Sequence, residues 1–142
     1  MTQHYIGTKQ VIGTPMTRQS YNDYRSWQLP ANENGADEGY LVEYVDGGPA
    51  NDPRHTGYIS WSPKGVFEGS YLPIGDVGRL PPHQQRVVAE KAQLDDKLEK
   101  LRKFFDSKLF DSLPTIEQVR LRIQLDAMDS YSYTLGERIA DF

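Results

Sequence analysis

A cluster of aromatic and basic residues in the first half of the chain has the chemistry to bind a nucleotide. Aromatic faces stack on nucleobases, and guanidinium or ammonium groups bind phosphate. The candidate ligand-binding residues are Arg18, Tyr24, Arg25, Trp27, Tyr58, Trp61 and Lys64. We expect Arg25 and Lys64 to hold phosphate, and Trp27 or Trp61 to stack on a base. The alternative is that these aromatic residues form the core of a small domain with few aliphatic side chains.

The other residues that could do chemistry do not form a catalytic pattern. His4, His55 and His83 lack the spacing of a metal site and are expected to be solvated surface residues. Pairs such as Glu99 and Lys103 have the spacing of a solvated helix face. A glycine-rich phosphate loop and a nucleophile elbow are both absent. We therefore expect no catalytic residue, no metal and no cofactor, and a protein that is not an enzyme.

Composition narrows the class of partner. The 142 residues include no cysteine, which excludes disulfides and thiolate sites and fits a reducing compartment. Residues 1–82 carry 6 Lys/Arg against 9 Asp/Glu, and residues 83–142 carry 10 against 11. Neither half has the basic field that long nucleic acids require. With no apolar run of about 20 residues and no signal-peptide pattern, we expect a soluble intracellular protein without membrane contact.

Short predicted elements position the first part of the cluster. The pattern predicts a strand over residues 5–12 and a helix over residues 18–25, with Thr17 as its cap. Residues 28–38, which include proline, glycine and asparagine, are typical of a loop. The alternation over residues 39–45 predicts the clearest strand of the chain.

A long connection separates this strand from its predicted partner. Residues 46–48 give a turn signal, and the stretch that follows to Thr56 predicts an extended, mobile loop. Residues 58–61 predict a strand antiparallel to residues 39–45. Ser62 is the expected cap of a second short helix, with Pro63 at its first position. Three side chains after it are expected to fold back onto the sheet: Val66, Phe67 and Tyr71.

The second half of the chain has a helical period. After the linker, apolar residues recur about every 3.5 residues and form a seam along one side of a predicted helix. A similar apolar seam begins after Thr115 and Gln118, which form a predicted capping box. The short link between the two segments predicts an antiparallel helical hairpin. Apolar residues beside the seam need cover, which favours homo-oligomerisation through residues 83–142. They are Val88, Phe104, Ile123, Tyr131 and Tyr133.

Together these patterns predict an α+β protein. A small antiparallel β-sheet domain with short helices occupies residues 1–75, a Pro/Gly linker follows over residues 76–82, and the helical hairpin occupies residues 83–142.

Specific motifs carry a resemblance to phage and prophage proteins. In the first half they are Tyr5-Ile6-Gly7-Thr8-Lys9, Pro15-Met16-Thr17-Arg18, Tyr21-Asn22-x-Tyr24-Arg25-x-Trp27, Glu38-Gly39-Tyr40-Leu41-Val42 and Gly57-Tyr58-Ile59-Ser60-Trp61-Ser62-Pro63-Lys64. In the second half they are Gln84-Gln85-Arg86-Val87-Val88-x-Glu90-Lys91-x-x-Leu94-x-x-Lys97-Leu98 and Leu135-Gly136-Glu137-Arg138-Ile139. The first set resembles a small uncharacterised phage domain, and the second resembles a helical-hairpin module common in phage genes.

This two-part organisation is similar to phage counter-defence sponges. Those oligomers sequester the cyclic nucleotide or cyclic ADP-ribose signals of the bacterial CBASS and Thoeris systems. The resemblance implies a phage protein that sequesters an anionic nucleotide in the host cytoplasm. It assigns no ligand residue by position, so the candidate residues rest on their chemistry alone. The alternatives are a protein-protein adaptor or inhibitor that acts through the hairpin, and a nuclease or phosphodiesterase, for which the sequence shows no convergent carboxylates or histidines.

Overall fold

The computed structural model describes all 142 residues and divides the chain into two compact units. We call Met1–Tyr71 the sheet unit and Leu72–Phe142 the helical unit. A three-stranded antiparallel sheet with short helices is followed by long helices, so the predicted α+β class is confirmed.

The sheet has three short strands, β1 (Ile12–Pro15), β2 (Gly39–Tyr44) and β3 (Tyr58–Pro63), in the order β1-β2-β3. Both pairings are antiparallel, so the predicted pairing of the last two strands is confirmed. Leu41 lies opposite Trp61 in the register. Since β2 is central, β3 has one edge that pairs with no other strand.

Helix α1 (Arg18–Arg25) covers one face of this sheet. Thr17 accepts a hydrogen bond from the Ser20 amide, so the predicted cap is confirmed. Tyr21 packs with Leu41 and Ile59, and all three side chains are at least 94% buried. Burial of each such side chain stabilises the fold by about 1.5 to 3 kcal/mol.

Helix α2 (Lys64–Ser70) lies against the sheet through Phe67, whose ring stacks on Tyr40 at 4.1 Å. The prediction for Val66 is wrong, because this side chain is 62% exposed. The predicted Ser62 cap is wrong as well. Pairing with β2 extends to Pro63, so Ser62 is a strand residue and the helix begins at Lys64 without a side-chain cap.

The predicted strand over residues 5–12 is wrong except at its last residue. Ile12 already pairs with Glu43, and β2 ends one residue later. The preceding residues therefore have almost no strand left to pair with. Tyr5 and Ile6 are instead highly exposed in a segment without regular structure.

The helical unit consists of α3 (Pro82–Phe105), the short α4 (Lys108–Asp111) and α5 (Thr115–Ala140). Long helices α3 and α5 pack against each other. Lys91 of α3 donates a hydrogen bond to Ser132 of α5, and Arg102 of α3 donates one to Asp129 of α5. The residue later in α3 therefore contacts the residue earlier in α5. The pair is therefore an antiparallel hairpin.

The link between the long helices differs from its prediction in two ways. Helix α4 was not predicted; Ser107 caps it, and Phe110 is buried edge-on against Phe104 and Phe105. The predicted capping box is wrong, because α5 begins after Pro114 without a side-chain cap. The Gln118 amide donates instead to the backbone carbonyls of Phe110, Asp111 and Leu113.

Candidate ligand-binding site

A pocket of about 520 Å³ opens in the sheet unit between α1, the segment after it and β3. Its size falls in the range of small-molecule sites. Five of the seven candidate residues line it, and we call it the first pocket. They are Arg18, Arg25, Trp27, Tyr58 and Trp61.

Two guanidinium groups in this pocket lie on two indole rings. The Arg18 guanidinium lies 4.3 Å from the Trp61 ring centroid, and that of Arg25 lies 4.4 Å from the Trp27 centroid. In such a cation–π contact, the negative face of the aromatic ring attracts the positively charged guanidinium group. The pocket therefore combines positive charge and aromatic surface at two adjacent places.

The two tryptophans have different roles. Trp61 is partly buried against the core, and its indole N–H donates to the Met16 carbonyl over 2.8 Å. Gly39 lies opposite this ring, where a Cβ would come within 2.4 Å of it. Trp27 is 52% exposed. Of the two predicted stacking residues, only Trp27 therefore offers a large accessible ring.

Arg18 is the cation of the pocket that a ligand reaches more easily. Its side chain is 26% exposed, and Nη1 lies 3.1 Å from the Glu33 carboxylate. Its Nε is 3.9 Å from the Asp37 carboxylate and has no hydrogen-bond partner. A ligand anion that bound Arg18 would displace the carboxylate of Glu33 from it. Glu33 lies in the loop of residues 28–38, which contains proline, glycine and asparagine.

Arg25 is held more firmly by its own protein partners. It donates to the Tyr21 hydroxyl (3.1 Å) and to the Asn51 carbonyl (3.3 Å), and it lies 3.8 Å from the Asp52 carboxylate. Only 11% of its side chain is exposed. This geometry gives Arg25 a positioning role, because it ties α1 to the loop before β3.

That loop was predicted to be extended and mobile, but the structure shows a compact, hydrogen-bonded segment. Asp52 is buried and accepts three hydrogen bonds from the backbone and guanidinium of Arg54. The Arg54 side chain holds the pKa of Asp52 well below its usual range, so the carboxylate stays charged. Arg54 also lies 3.5 Å from the ring centroid of Tyr24 and donates to its carbonyl.

Tyr24 belongs to this supporting network and does not line the pocket. Its hydroxyl lies 2.7 Å from His55 Nε2, and His55 Nδ1 donates to Glu43 over 2.6 Å. The hydrogen bond from His55 lowers the pKa of Glu43. The prediction of a solvated His55 is wrong, since 17% of its side chain is exposed and both ring nitrogens have partners.

Lys64 lines a different pocket of about 550 Å³, together with Glu38 and Tyr40. Its ammonium lies 3.2 Å from the Glu38 carboxylate, which raises the pKa of Lys64. Arg25 and Lys64, which are predicted from the sequence to hold phosphate, therefore line two different pockets.

Sequence reasoning missed several residues of this region, above all Asn51, Asp52 and Glu33. One signal was present: a connection of thirteen residues between β2 and β3 is longer than most hairpin loops, and long ordered loops are often functional. Nothing in the local sequence pattern indicated that the side chain of Asn51 would hydrogen-bond the backbone of Ile59 in β3.

The helical unit carries a different surface. Five exposed residues of α5 lie on the side opposite its packing face, and we call them the α5 stripe. They are Ile116, Val119, Ile123, Ala127 and Tyr131. On the packing side, Ser132 is buried and bonds both Lys91 and Asp95.

Neither unit gathers three or more histidine, aspartate or glutamate side chains into an arrangement that could hold a metal ion. None of the helices has both the length and the hydropathy needed to cross a bilayer.

In the comparison with known proteins, a family model matches residues of the helical unit. No curated protein and no solved structure matches the chain. Residues 81–141, less than half of the chain, match the family model described as Sequestin. This span contains the whole of α3, α4 and α5, so it is the helices of the helical unit that are similar to that family.

Proposed function

We propose that the protein binds and sequesters a small anionic nucleotide signal. The observation that carries the proposal is the match of residues 81–141 to the Sequestin family, whose name describes sequestration. The first pocket supports it, because an exposed indole and two guanidinium groups suit a base and a phosphate. Sequestration requires tight binding and no chemical step, so the protein acts without catalysis.

The finer identity of the signal follows from the resemblance to phage sponges. We propose a cyclic oligonucleotide or a cyclic ADP-ribose isomer, made by a CBASS or Thoeris system in the host cytoplasm. Binding would lower the free concentration of the signal and block the host's antiviral response.

The helical unit is the proposed assembly element. Along the α5 stripe, Ile116, Ile123 and Tyr131 are 57%, 64% and 44% exposed. A second copy of the chain would cover this apolar surface and remove it from water, at about 25 cal/mol per Å² buried. An oligomer with several pockets would also retain ligand more effectively through multivalency.

Native mass spectrometry of the full chain tests both parts. The protein is measured alone and with a panel of cyclic dinucleotides, cyclic trinucleotides and cyclic ADP-ribose isomers. We expect an oligomer that gains one ligand per subunit, or a symmetric fraction of that number, and ligand that is recovered unchanged by chromatography. A chain that binds nothing from the panel would contradict the proposal, and recovery of a cleaved nucleotide would show an enzyme.

A matched pair of variants locates the binding. Trp27→Ala removes the exposed ring of the first pocket, and Tyr5→Ala removes an exposed ring from the N-terminal segment. Loss of one stacking contact costs about 1 to 3 kcal/mol, so Trp27→Ala should weaken binding about fivefold or more while Tyr5→Ala leaves it unchanged. Equal binding by both variants would place the ligand outside the first pocket.

One observation favours a second function, that of a protein-binding adaptor or inhibitor. The α5 stripe has the spacing of an amphipathic helix that docks into a groove. A monomer in native mass spectrometry that captures no nucleotide, and whose capture of a host protein is lost in Ile123→Asp, would establish this alternative.

A further inference from the structure

The outer edge of β3 presents one open pair of backbone groups at the wall of the first pocket. We infer that the N–H and C=O of Trp61 bind the donor–acceptor edge of a nucleobase. This inference rests on the proposed function and deepens it, because it names the part of the ligand that the sheet unit recognises.

The hydrogen-bond alternation of the sheet shows which groups face outward. The Lys64 amide donates to the Glu38 carbonyl, which extends the β2–β3 ladder. In an antiparallel pair, residues alternate between those bonded to the partner strand and those whose groups point away. Ser60 and Ser62 are therefore bonded to β2, and the backbone groups of Ile59, Trp61 and Pro63 point to the open edge.

Ile59 shows how this edge binds a planar amide. The Asn51 side chain donates from Nδ2 to the Ile59 carbonyl (2.9 Å) and accepts from the Ile59 amide at Oδ1 (2.8 Å). A donor and an acceptor side by side on one planar group thus satisfy both backbone groups of one strand residue. Nucleobases carry the same arrangement on their pairing edges.

Trp61 is the next outward residue, and its backbone groups have no such partner. Ile59, Ser60 and Trp61 all line the first pocket, so this part of the edge borders the cavity. Pro63, the last outward residue, has no N–H. A single open residue matches a small planar ligand better than an added peptide strand, which requires a ladder of several bonds.

The side chains around Trp61 suit the remaining parts of a nucleotide. Trp27 supplies an exposed ring for stacking. Arg18 lies over the Trp61 ring, and its pairing with the partly exposed Glu33 can be exchanged for a ligand phosphate. Base edge, base face and phosphate therefore each have a named partner in one cavity.

Amide hydrogen exchange measured by heteronuclear NMR tests the assignment at a single residue. In the free protein, the Ile59 amide should exchange slowly and the Trp61 amide faster. The probes are the monophosphates of the four RNA nucleosides, followed by the tightest binder with its edge N–H groups replaced by methyl groups. With the tightest binder at saturation, we expect exchange at Trp61 to slow about tenfold or more, and the methylated analogue to bind about tenfold more weakly.

The outcomes separate this inference from the proposed function. Binding of a nucleotide that leaves Trp61 exchange unchanged, or equal binding of the methylated analogue, would overturn the inference and leave sequestration standing. If neither the monophosphates nor the cyclic panel binds, both fail. Asn51→Ala is the internal control, because it should speed exchange at Ile59 and not abolish the nucleotide effect at Trp61.

Discussion

The sheet unit and the helical unit are stabilised in different ways. In the sheet unit, a few buried apolar side chains are accompanied by many specific polar contacts, such as those of Asp52, Arg54 and His55. In the helical unit, two long helices share a narrow packed seam and leave apolar residues of α5 exposed. Polar contacts therefore line a concave pocket in the sheet unit, whereas the helical unit leaves an apolar stripe of α5 exposed to solvent.

The largest expected effect tests the difference between the two sides of α5. Leu135 is 1% exposed and Ile123 is 64% exposed. Leu135→Ala should lower the free energy of unfolding by about 2 to 5 kcal/mol, because it leaves a cavity in the seam. Ile123→Ala should change it by less than about 0.5 kcal/mol at concentrations where the chain is monomeric.

Chemical denaturation followed by far-UV circular dichroism measures both values. Equal losses in the two variants would show that the α5 stripe is already covered within one chain. The Ile123→Ala variant should instead show a smaller oligomer in native mass spectrometry.

The next effect compares the two pockets of the sheet unit. Arg18→Gln should weaken nucleotide binding about tenfold or more, since it removes a charge-assisted hydrogen bond to phosphate. Lys64→Gln removes the same charge from the other pocket and should leave binding unchanged. Isothermal titration measures both affinities, and circular dichroism confirms that Arg18→Gln remains folded. Weaker binding by Lys64→Gln would restore the original expectation that Lys64 holds phosphate.

A smaller effect concerns the polar support of the sheet. Asn51→Ala removes two hydrogen bonds to Ile59 and should lower the stability of the sheet unit by about 1 to 3 kcal/mol. Both tryptophans of the chain lie in this unit, so tryptophan fluorescence reports its unfolding. Asn32→Ala, in the exposed loop before β2, is the matched control. If the unfolding transition measured by fluorescence is the same in Asn51→Ala as in the parent chain, the hydrogen bonds of this amide do not stabilise the sheet unit.

The smallest expected effect is the response to acid. The pKa of Glu43 is lowered from 4.5, mainly by the hydrogen bond from His55. A carboxylate with a lowered folded pKa stabilises the fold above its unfolded pKa, and this contribution is lost as the pH falls through the folded value. The thermal midpoint of the fluorescence transition should therefore fall more steeply below about pH 4.5 in the parent chain than in Glu43→Gln. Glu90→Gln, at an exposed residue, is the control and should show the same pH dependence of the thermal midpoint as the parent chain. The same pH dependence in all three proteins would show that Glu43 does not contribute to acid sensitivity.

The elements that could be predicted from the sequence are those set by local signals. Thr17 identified the start of α1, and alternation identified β2 and β3. The heptad pattern identified α3 and α5. The strand over residues 5–12 failed because pairing depends on the length of β2, a non-local property. The cap at Ser62 failed because strand pairing at this residue outweighed a local preference.

The candidate site was predicted by residue type but not by arrangement. Residue type alone identified five side chains that line one pocket. It could not separate Trp61, whose indole bonds Met16, from the exposed Trp27. It also could not place Tyr24 or Lys64 outside the pocket, because their neighbours His55 and Glu38 are distant in the chain.

The Asn51 amide on β3 has a consequence for the behaviour of the protein in a crowded cell. Open strand edges can template aggregation between copies, and proteins protect them with side chains and prolines. Here Asn51 occupies the edge at Ile59, and Pro63 lacks the donor that a neighbouring strand would need. A protein that works by sequestration must accumulate to at least the concentration of its ligand. An edge shortened to one residue would let it reach that abundance without self-association through β3.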